Sequence, residues 1–339
     1  MKISRGKQAG LQAISDARGV IAALAIDQRD ALRKLLAKAK NVPASEVPGQ
    51  MLEQFKQAVS RILTPHTSAI LLDPEYGLAA ARARAKTAGL LLAYEQTGYD
   101  KNVPGRLPRL LSGYSVERLV AEGADCVKVL LYFSPFSTPG INDQKRAWVE
   151  RVGAECGAAD VPFFLELVAY HDDVETGTLE FARLKPEIVA RSLEEFSHSK
   201  YAVDVFKVGV PVSVAFVEGI GEALGPKAYT REQALGCFRR SDAAAGHPFI
   251  YLSEGVSAKL FHDALGLAAE AGSRFSGVLC GRATWSDGVE IYVKHGISAL
   301  EQWLSVTGLQ NVEAVNTLLT AAKPWFAFYR TRASADIAS

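Results

Sequence analysis

The chain of 339 residues is poor in cysteine and methionine and has no long hydrophobic run. Its four cysteines, Cys126, Cys156, Cys237 and Cys280, stand far apart with no CxxC pair, which argues against a disulfide framework or a cysteine zinc site and fits reduced thiols. Cys126 and Cys280 fall inside predicted strands, where a thiol serves as apolar filler. The longest apolar stretches, such as VIAALAI, are too short to span a bilayer, and the N-terminus MKISRGKQAG lacks an apolar core of signal-peptide length. A cytoplasmic location is the default expectation. Neither sign of charge dominates: 38 Lys and Arg face 37 Asp and Glu, and the basic residues are interspersed with acids instead of forming a stripe. Nucleic acid and anionic membrane are therefore poor candidate partners. No linker rich in Ser, Gly or Pro divides the chain and no internal repeat is visible. The expected organisation is one domain over residues 1–330, followed by a frayed tail over residues 331–339.

What the chain does have is an alternation of short apolar segments with longer amphipathic ones. Eight strand-like runs can be counted: VIAALAIDQ, SAILLDPEYG, LLLAYEQTG, CVKVLLYF, PFFLELVAY, VFKVGVP, PFIYLSEG and SGVLCGR. Between them lie helical patterns such as DALRKLLAKAK, VERLVAEGA, DQKRAWVERVGAEC, KPEIVARSLEEFS and SAKLFHDALGLAAEAG. Strands apolar on both faces and separated by helices imply a parallel sheet covered by helices. A doubly wound open sheet would place a glycine-rich phosphate turn after the first strand, but Arg29 and Asp30 lead directly into a helix there. The expected fold is α/β, a single (β/α)8 TIM barrel with extra terminal helices. Polar residues also gather at the C-terminal ends of the strands, the face on which such barrels build active sites.

Two charges stand alone inside apolar strands, Lys207 in VDVFKVGVPV and Glu166 in PFFLELVAY. Such groups are costly to desolvate unless paired or used chemically. Period-two alternation places Val205, Lys207 and Gly209 on one face, with bulky Phe206, Val208 and Val210 on the other, so Lys207 is expected to point into the barrel. The same alternation turns Glu166 inward with Phe164 and Val168, and Lys128 inward with Cys126 and Leu130. A lysine must shed its proton before it attacks a carbonyl, and burial beside a second cation such as Lys128 favours the neutral amine. Lys207 is the candidate Schiff-base nucleophile, Glu166 the proton shuttle, Lys128 a holder of substrate oxygen, and Asp27 an orienting or relay group. The competing reading is a buried ion-pair network that only holds the barrel together. Asp73, Glu75 and Glu95 at other strand ends fit solvation or helix capping better than chemistry. In SGVLCGRATW, Gly281 and Arg282 suit phosphate binding after the eighth strand, with a hydroxyl from Ser253 after the seventh.

These motifs carry a resemblance. AIDQR, LLDPEYG, YEQTGYD, VKVLLY, INDQKRAWVERVGAEC, FFLEL, DVFKVGVPV, YLSEGVS and GVLCGRATW resemble, in order and over nearly the whole chain, the tagatose 1,6-bisphosphate aldolases of the LacD type. The resemblance implies a (β/α)8 barrel, Schiff-base chemistry with no metal or other cofactor, and reversible cleavage of a ketohexose 1,6-bisphosphate to dihydroxyacetone phosphate and glyceraldehyde 3-phosphate. Carried over by motif, Lys207 forms the Schiff base and Glu166 is the acid/base. Asp27, Gln28 and Lys128 line the polar centre, and Ser253, Leu279, Gly281 and Arg282 hold the ketose-side phosphate. Departures from that family's pattern are Gly209 where a glutamate is usual, Glu254 where a small residue is usual, and a less acidic segment YFSPFSTPG. They leave the sugar open among epimers. Sulfofructose 1-phosphate cleavage by the same mechanism and a non-catalytic sugar-phosphate-binding barrel are the alternatives. A metal-dependent aldolase needs clustered ligands, and the six histidines, His66, His171, His198, His247, His262 and His295, form no HxH or HxxxH pair. The expected partner is a phosphorylated ketose, and barrels of this size commonly self-associate into homo-oligomers.

Overall fold

The computed structural model describes residues 3–97, 99, 103–220 and 225–329. The predicted tail, 331–339, lies outside them. Eight parallel strands close into a barrel in sequence order: β1 (Ile21–Ala25), β2 (Ala69–Leu72), β3 (Gly89–Ala93), β4 (Cys126–Phe133), β5 (Phe163–Ala169), β6 (Val205–Gly209), β7 (Phe249–Leu252) and β8 (Gly277–Cys280). β8 pairs back onto β1, with Ile21 opposite Gly277. Every predicted strand run overlaps one of these strands, β3 beginning one residue before its run. This is the (β/α)8 barrel that the alternation implied.

The alternation also sorts the side chains. Ala23, Leu71, Leu91, Cys126, Phe164, Val205, Ile250 and Leu279 belong to an inner cluster. Their neighbours Leu24, Leu72, Leu92, Val127, Leu165, Phe206, Tyr251 and Val278 pack outward in the larger cluster beneath the helices. The closing seam requires glycine: at Gly277 φ is +140°, and a Cβ there would lie 1.9 Å from the Ile21 carbonyl oxygen.

Helices follow from local pattern and caps. Asp30–Lys40 buries Leu32, Leu36 and Ala37 and stops at Asn41, which adopts the left-handed conformation. In the helix Arg231–Ala244, the segment REQALGCFRRSDAA has an apolar face diluted by polar residues. Its start is nevertheless marked by a capping box between Thr230 and Gln233. Terminal segments close the bottom of the barrel. Lys7, in the helix Arg5–Ala13, pairs with Asp204 at 2.7 Å, and the Tyr329 hydroxyl donates to the Asp204 carbonyl at 2.8 Å. Among the described residues no helix is long and apolar enough to cross a membrane.

Candidate active site

With the bottom sealed, the cavity opens at the C-terminal ends of the strands. Cys126, Phe164 and Val205 form part of its apolar floor. Two residues further along each strand, still facing inward, stand Lys128, Glu166 and Lys207, all buried. The register sets Leu130 beside Glu166 and Glu166 beside Lys207. One carboxylate oxygen, Glu166 Oε2, lies 2.8 Å from Lys207 Nζ and 2.7 Å from Lys128 Nζ. The inward orientation expected from alternation therefore brings the three groups into direct contact.

Lys128 Nζ is enclosed by carboxylates: Asp27 Oδ2 at 2.9 Å and Glu95 Oε1 at 2.7 Å complete its shell. Arg29 extends the network, donating to the Glu95 carbonyl at 2.8 Å and pairing with Glu75 at 2.7 Å. Burial by itself would push the Asp27 carboxyl up, but Lys128, Lys207 and Arg29 outweigh it and hold the group far below the usual carboxylate range. Glu166 behaves alike: burial opposes the charge, and Lys128 with Lys207 overcomes it, leaving the carboxyl below its ordinary value. At Glu95 burial prevails over Lys128 and Arg29, and its carboxyl is raised. The Lys128 ammonium, penalised by burial, is nevertheless strengthened well above an ordinary lysine by Asp27, Glu166 and Glu95. The site thus holds ionised carboxylates beside a carboxyl that protonates more readily, and fixed cations beside both.

The remaining predicted residues line the same cavity of about 370 Å³: Gln28, Ser253, Leu279, Gly281 and Arg282. Gly281 sits tightly, its absent Cβ position being 2.9 Å from the Ala25 carbonyl and 3.5 Å from Gln28 Nε2. Among the described residues the Arg282 guanidinium has no ion-pair partner. Three acceptors, Asp27 Oδ1, Gln28 Oε1 and Glu95 Oε2, are buried without a hydrogen-bond partner among the described residues. They are available to the hydroxyl donors of a polyol.

Sequence comparison agrees with this geometry. Residues 21–287 match the model of the DeoC/LacD family aldolases. The chain belongs to that family. This aldolase is 50% identical to tagatose 1,6-diphosphate aldolase 2 of Enterococcus faecalis over 329 residues, 96% of this chain and 98% of the relative. It is 48% identical to tagatose 1,6-diphosphate aldolase of Staphylococcus epidermidis over 96% and 99% of the two chains, and 47% identical to tagatose 1,6-diphosphate aldolase 2 of Streptococcus mutans over 96% and 98%. Among solved structures, a Plasmodium falciparum fructose-bisphosphate aldolase superposes with a TM-score of 0.64 at 12% identity, over 95% of this chain and 97% of that one. That likeness speaks to the fold alone.

Eight of the nine residues singled out from the sequence line this aldolase's cavity, Lys128 lies wholly buried against Asp27 and Glu166 in its wall, and the structure adds others. Glu95, which the sequence assigns to strand-end solvation or helix capping, is instead buried against Lys128, and Arg29 backs it. The available signal was a single acid directly after the apolar run LLLAY. Tyr99 and Tyr132 also line the cavity, Tyr99 donating to the Leu130 carbonyl at 2.8 Å. Glu254 resolves the departure at Gly209. Its carboxylate fills the space above that glycine, where an added Cβ would come within 2.2 Å of Glu254 Oε1. Its ion-pair partner is Lys185 at 2.6 Å.

Proposed function

We propose that this chain catalyses the reversible aldol cleavage of a ketohexose 1,6-bisphosphate, tagatose 1,6-bisphosphate foremost, to dihydroxyacetone phosphate and glyceraldehyde 3-phosphate through a Schiff base on Lys207. The observation that carries the reading is the single Glu166 oxygen shared between Lys207 at 2.8 Å and Lys128 at 2.7 Å in the wall of an open cavity. Within hydrogen-bond reach, that oxygen can take the proton Lys207 must lose before it attacks the C2 carbonyl. Returned to the carbinolamine hydroxyl, the proton lets water leave and an iminium form. The iminium draws electrons from C3. Glu166 then removes the C4 hydroxyl proton, the C3–C4 bond breaks, and its electron pair enters an enamine as the aldehyde departs. Protonation at C3 and hydrolysis release dihydroxyacetone phosphate and restore the amine.

The other residues take positions around that sequence. Lys128 holds its charge throughout and offsets negative charge developing on substrate oxygen. Asp27 and Gln28 present unpaired acceptors to hydroxyls. Ser253, Gly281 and the backbone at Leu279 flank Arg282, whose guanidinium suits the ketose-side phosphate. Because these groups come from strands around the ring, residues 1–330 act as one catalytic unit.

The test is borohydride reduction in the presence of dihydroxyacetone phosphate, followed by peptide mass spectrometry. A reduced adduct on Lys207, lost in Lys207→Ala, is expected. No adduct on folded protein that binds the triose phosphate would overturn the mechanism.

A further inference from the structure

Arg106 lies in the segment between β3 and β4, in a backbone conformation with φ of +43° that strains any residue other than glycine. Its guanidinium carbon rests 5.0 Å from the Tyr132 ring centroid and 4.7 Å from that of Tyr170. The two rings meet edge to face at 5.9 Å. Beneath them Lys145, fully buried, donates to the Tyr170 hydroxyl at 2.8 Å and fixes the ring that carries the arginine. The nearby Asp172 carboxylate is turned elsewhere, accepting from the Gly105 amide at 3.1 Å and the Ser137 hydroxyl at 3.2 Å. Among the described residues no carboxylate lies within ion-pair distance of Arg106. A guanidinium held on aromatic faces, with its N–H fork left over, is arranged for a planar, bidentate grip on an oxyanion.

Its place relative to the chemistry narrows which oxyanion. Tyr132 stands two residues beyond Leu130, the residue in register with Glu166, so it sits one inward layer, roughly 6–7 Å, above the Glu166–Lys207 contact. Tyr132 lines the catalytic cavity, and Arg106 with Tyr132 and Glu166 borders an adjoining cleft of about 540 Å³. Arg282 follows β8, and in a ring of eight strands β4 lies opposite β8. Arg282 borders the same adjoining cleft as Arg106, so two guanidinium groups without ion-pair partners share one space that Glu166, the contact of Lys207, also lines.

Resting on the proposed function, we propose that Arg106 binds the distal tetrahedral anion of the substrate, the C6 phosphate of the ketose bisphosphate or a C6 sulfonate in its place, with Tyr132 and Tyr170 as its platform and Lys145 as a positioning residue. Arg282 then takes the C1 phosphate, and the separation of the two arginines reads the length of the sugar.

The experiment compares parent, Arg106→Gln and Arg106→Lys on three substrates: tagatose 1,6-bisphosphate, tagatose 1-phosphate and 6-deoxy-6-sulfofructose 1-phosphate. Adduct formation with dihydroxyacetone phosphate, which lacks the distal anion, serves as the control for fold and Schiff-base chemistry. Expected is a fall in kcat/KM of about ten- to hundredfold in Arg106→Gln for both substrates carrying a C6 anion. Tagatose 1-phosphate and adduct formation should change less than about twofold, and Arg106→Lys should recover part of the loss. Parent preference for the sulfonate over the phosphate would identify which anion the same site serves. Equal losses on all three substrates, or no loss on the bisphosphate, would overturn the assignment while leaving the proposed function intact. A parent protein that forms no adduct and turns over none of the three would overturn both.

Discussion

Replacing Lys128 by methionine is the perturbation with the most definite consequence, because its ammonium is completely buried and within 2.7–2.9 Å of Asp27, Glu95 and Glu166. The variant would leave those three carboxylates with only Lys207 and Arg29 as cations. Removing one partner from a buried ionic cluster costs about 3–5 kcal/mol, a large share of the roughly 5–15 kcal/mol of a typical domain. For a chain of 339 residues the Tm should drop by roughly 4–7 °C. The sign of the pH dependence separates this from loss of packing. In the parent, Asp27 and Glu166 titrate lower folded than unfolded, so the stability they contribute is present above the ordinary carboxylate range and is lost as pH falls through their folded values. Glu95 titrates higher folded than unfolded, so its contribution is lost as pH rises through the folded value. Without Lys128 the first two move in the direction of Glu95. The deficit of the variant should be greatest near about pH 8 and shrink toward about pH 5 as the carboxyls take up protons. Urea unfolding followed by circular dichroism at both extremes measures it. A deficit below about 1 kcal/mol, or one equal at both pH values, would refute the charge argument.

Glu166→Gln keeps the shape of the side chain but cannot accept a proton, and kcat should fall by about 10²- to 10⁴-fold with little change in KM; a loss under tenfold in a coupled triose-phosphate assay would remove Glu166 from the proton transfers. Two glycine-to-alanine changes should differ sharply. At Gly277 the new methyl meets the Ile21 carbonyl in a closed seam at φ +140°, and a loss of roughly 2–6 kcal/mol is expected by thermal unfolding. At Gly209 its nearest neighbours are atoms at the end of the Glu254 side chain, which can swing aside, so stability should fall by about 1 kcal/mol or less. Comparable losses at the two sites would contradict the packing described for the seam.

The barrel and its floor were legible because both depend on short-range periodicity. Eight apolar runs fixed the number of strands, and period-two alternation turned Lys128, Glu166 and Lys207 inward before any contact was known. Gln28, Ser253, Gly281 and Arg282 were legible from their place at strand ends. Arg106 was not. It stands in a polar segment with no periodicity, and what distinguishes it, two tyrosine rings brought together from β4 and the end of β5, arises only from tertiary structure. Glu95 was undervalued for a related reason: an acid after a strand reads the same whether it faces water or a buried lysine. The pairing of Glu254 with Lys185 over Gly209 likewise joins three elements that no local pattern connects.

Burial of charge alone does not mark a reactive group, and this barrel contains its own control. Lys56 and Asp73 form an ion pair in which both side chains are wholly inaccessible, and Asp73 also accepts from the Tyr76 amide at 2.8 Å. Burial pulls the Lys56 ammonium below an ordinary lysine even against the attraction of Asp73. By the criterion of desolvation, then, Lys56 is shifted in the direction a nucleophile needs. It lines none of the cavity that holds Lys207, and the pair ties the helix Gly49–Leu63 to the turn after β2. Lys207 differs in access, since its amine forms part of the wall of a space large enough for a sugar phosphate and contacts a carboxylate able to exchange its proton. The feature separating the structural lysine from the proposed nucleophile here is the convergence of an open cavity with a proton acceptor, and that convergence is set by the period-two direction of β5 and β6.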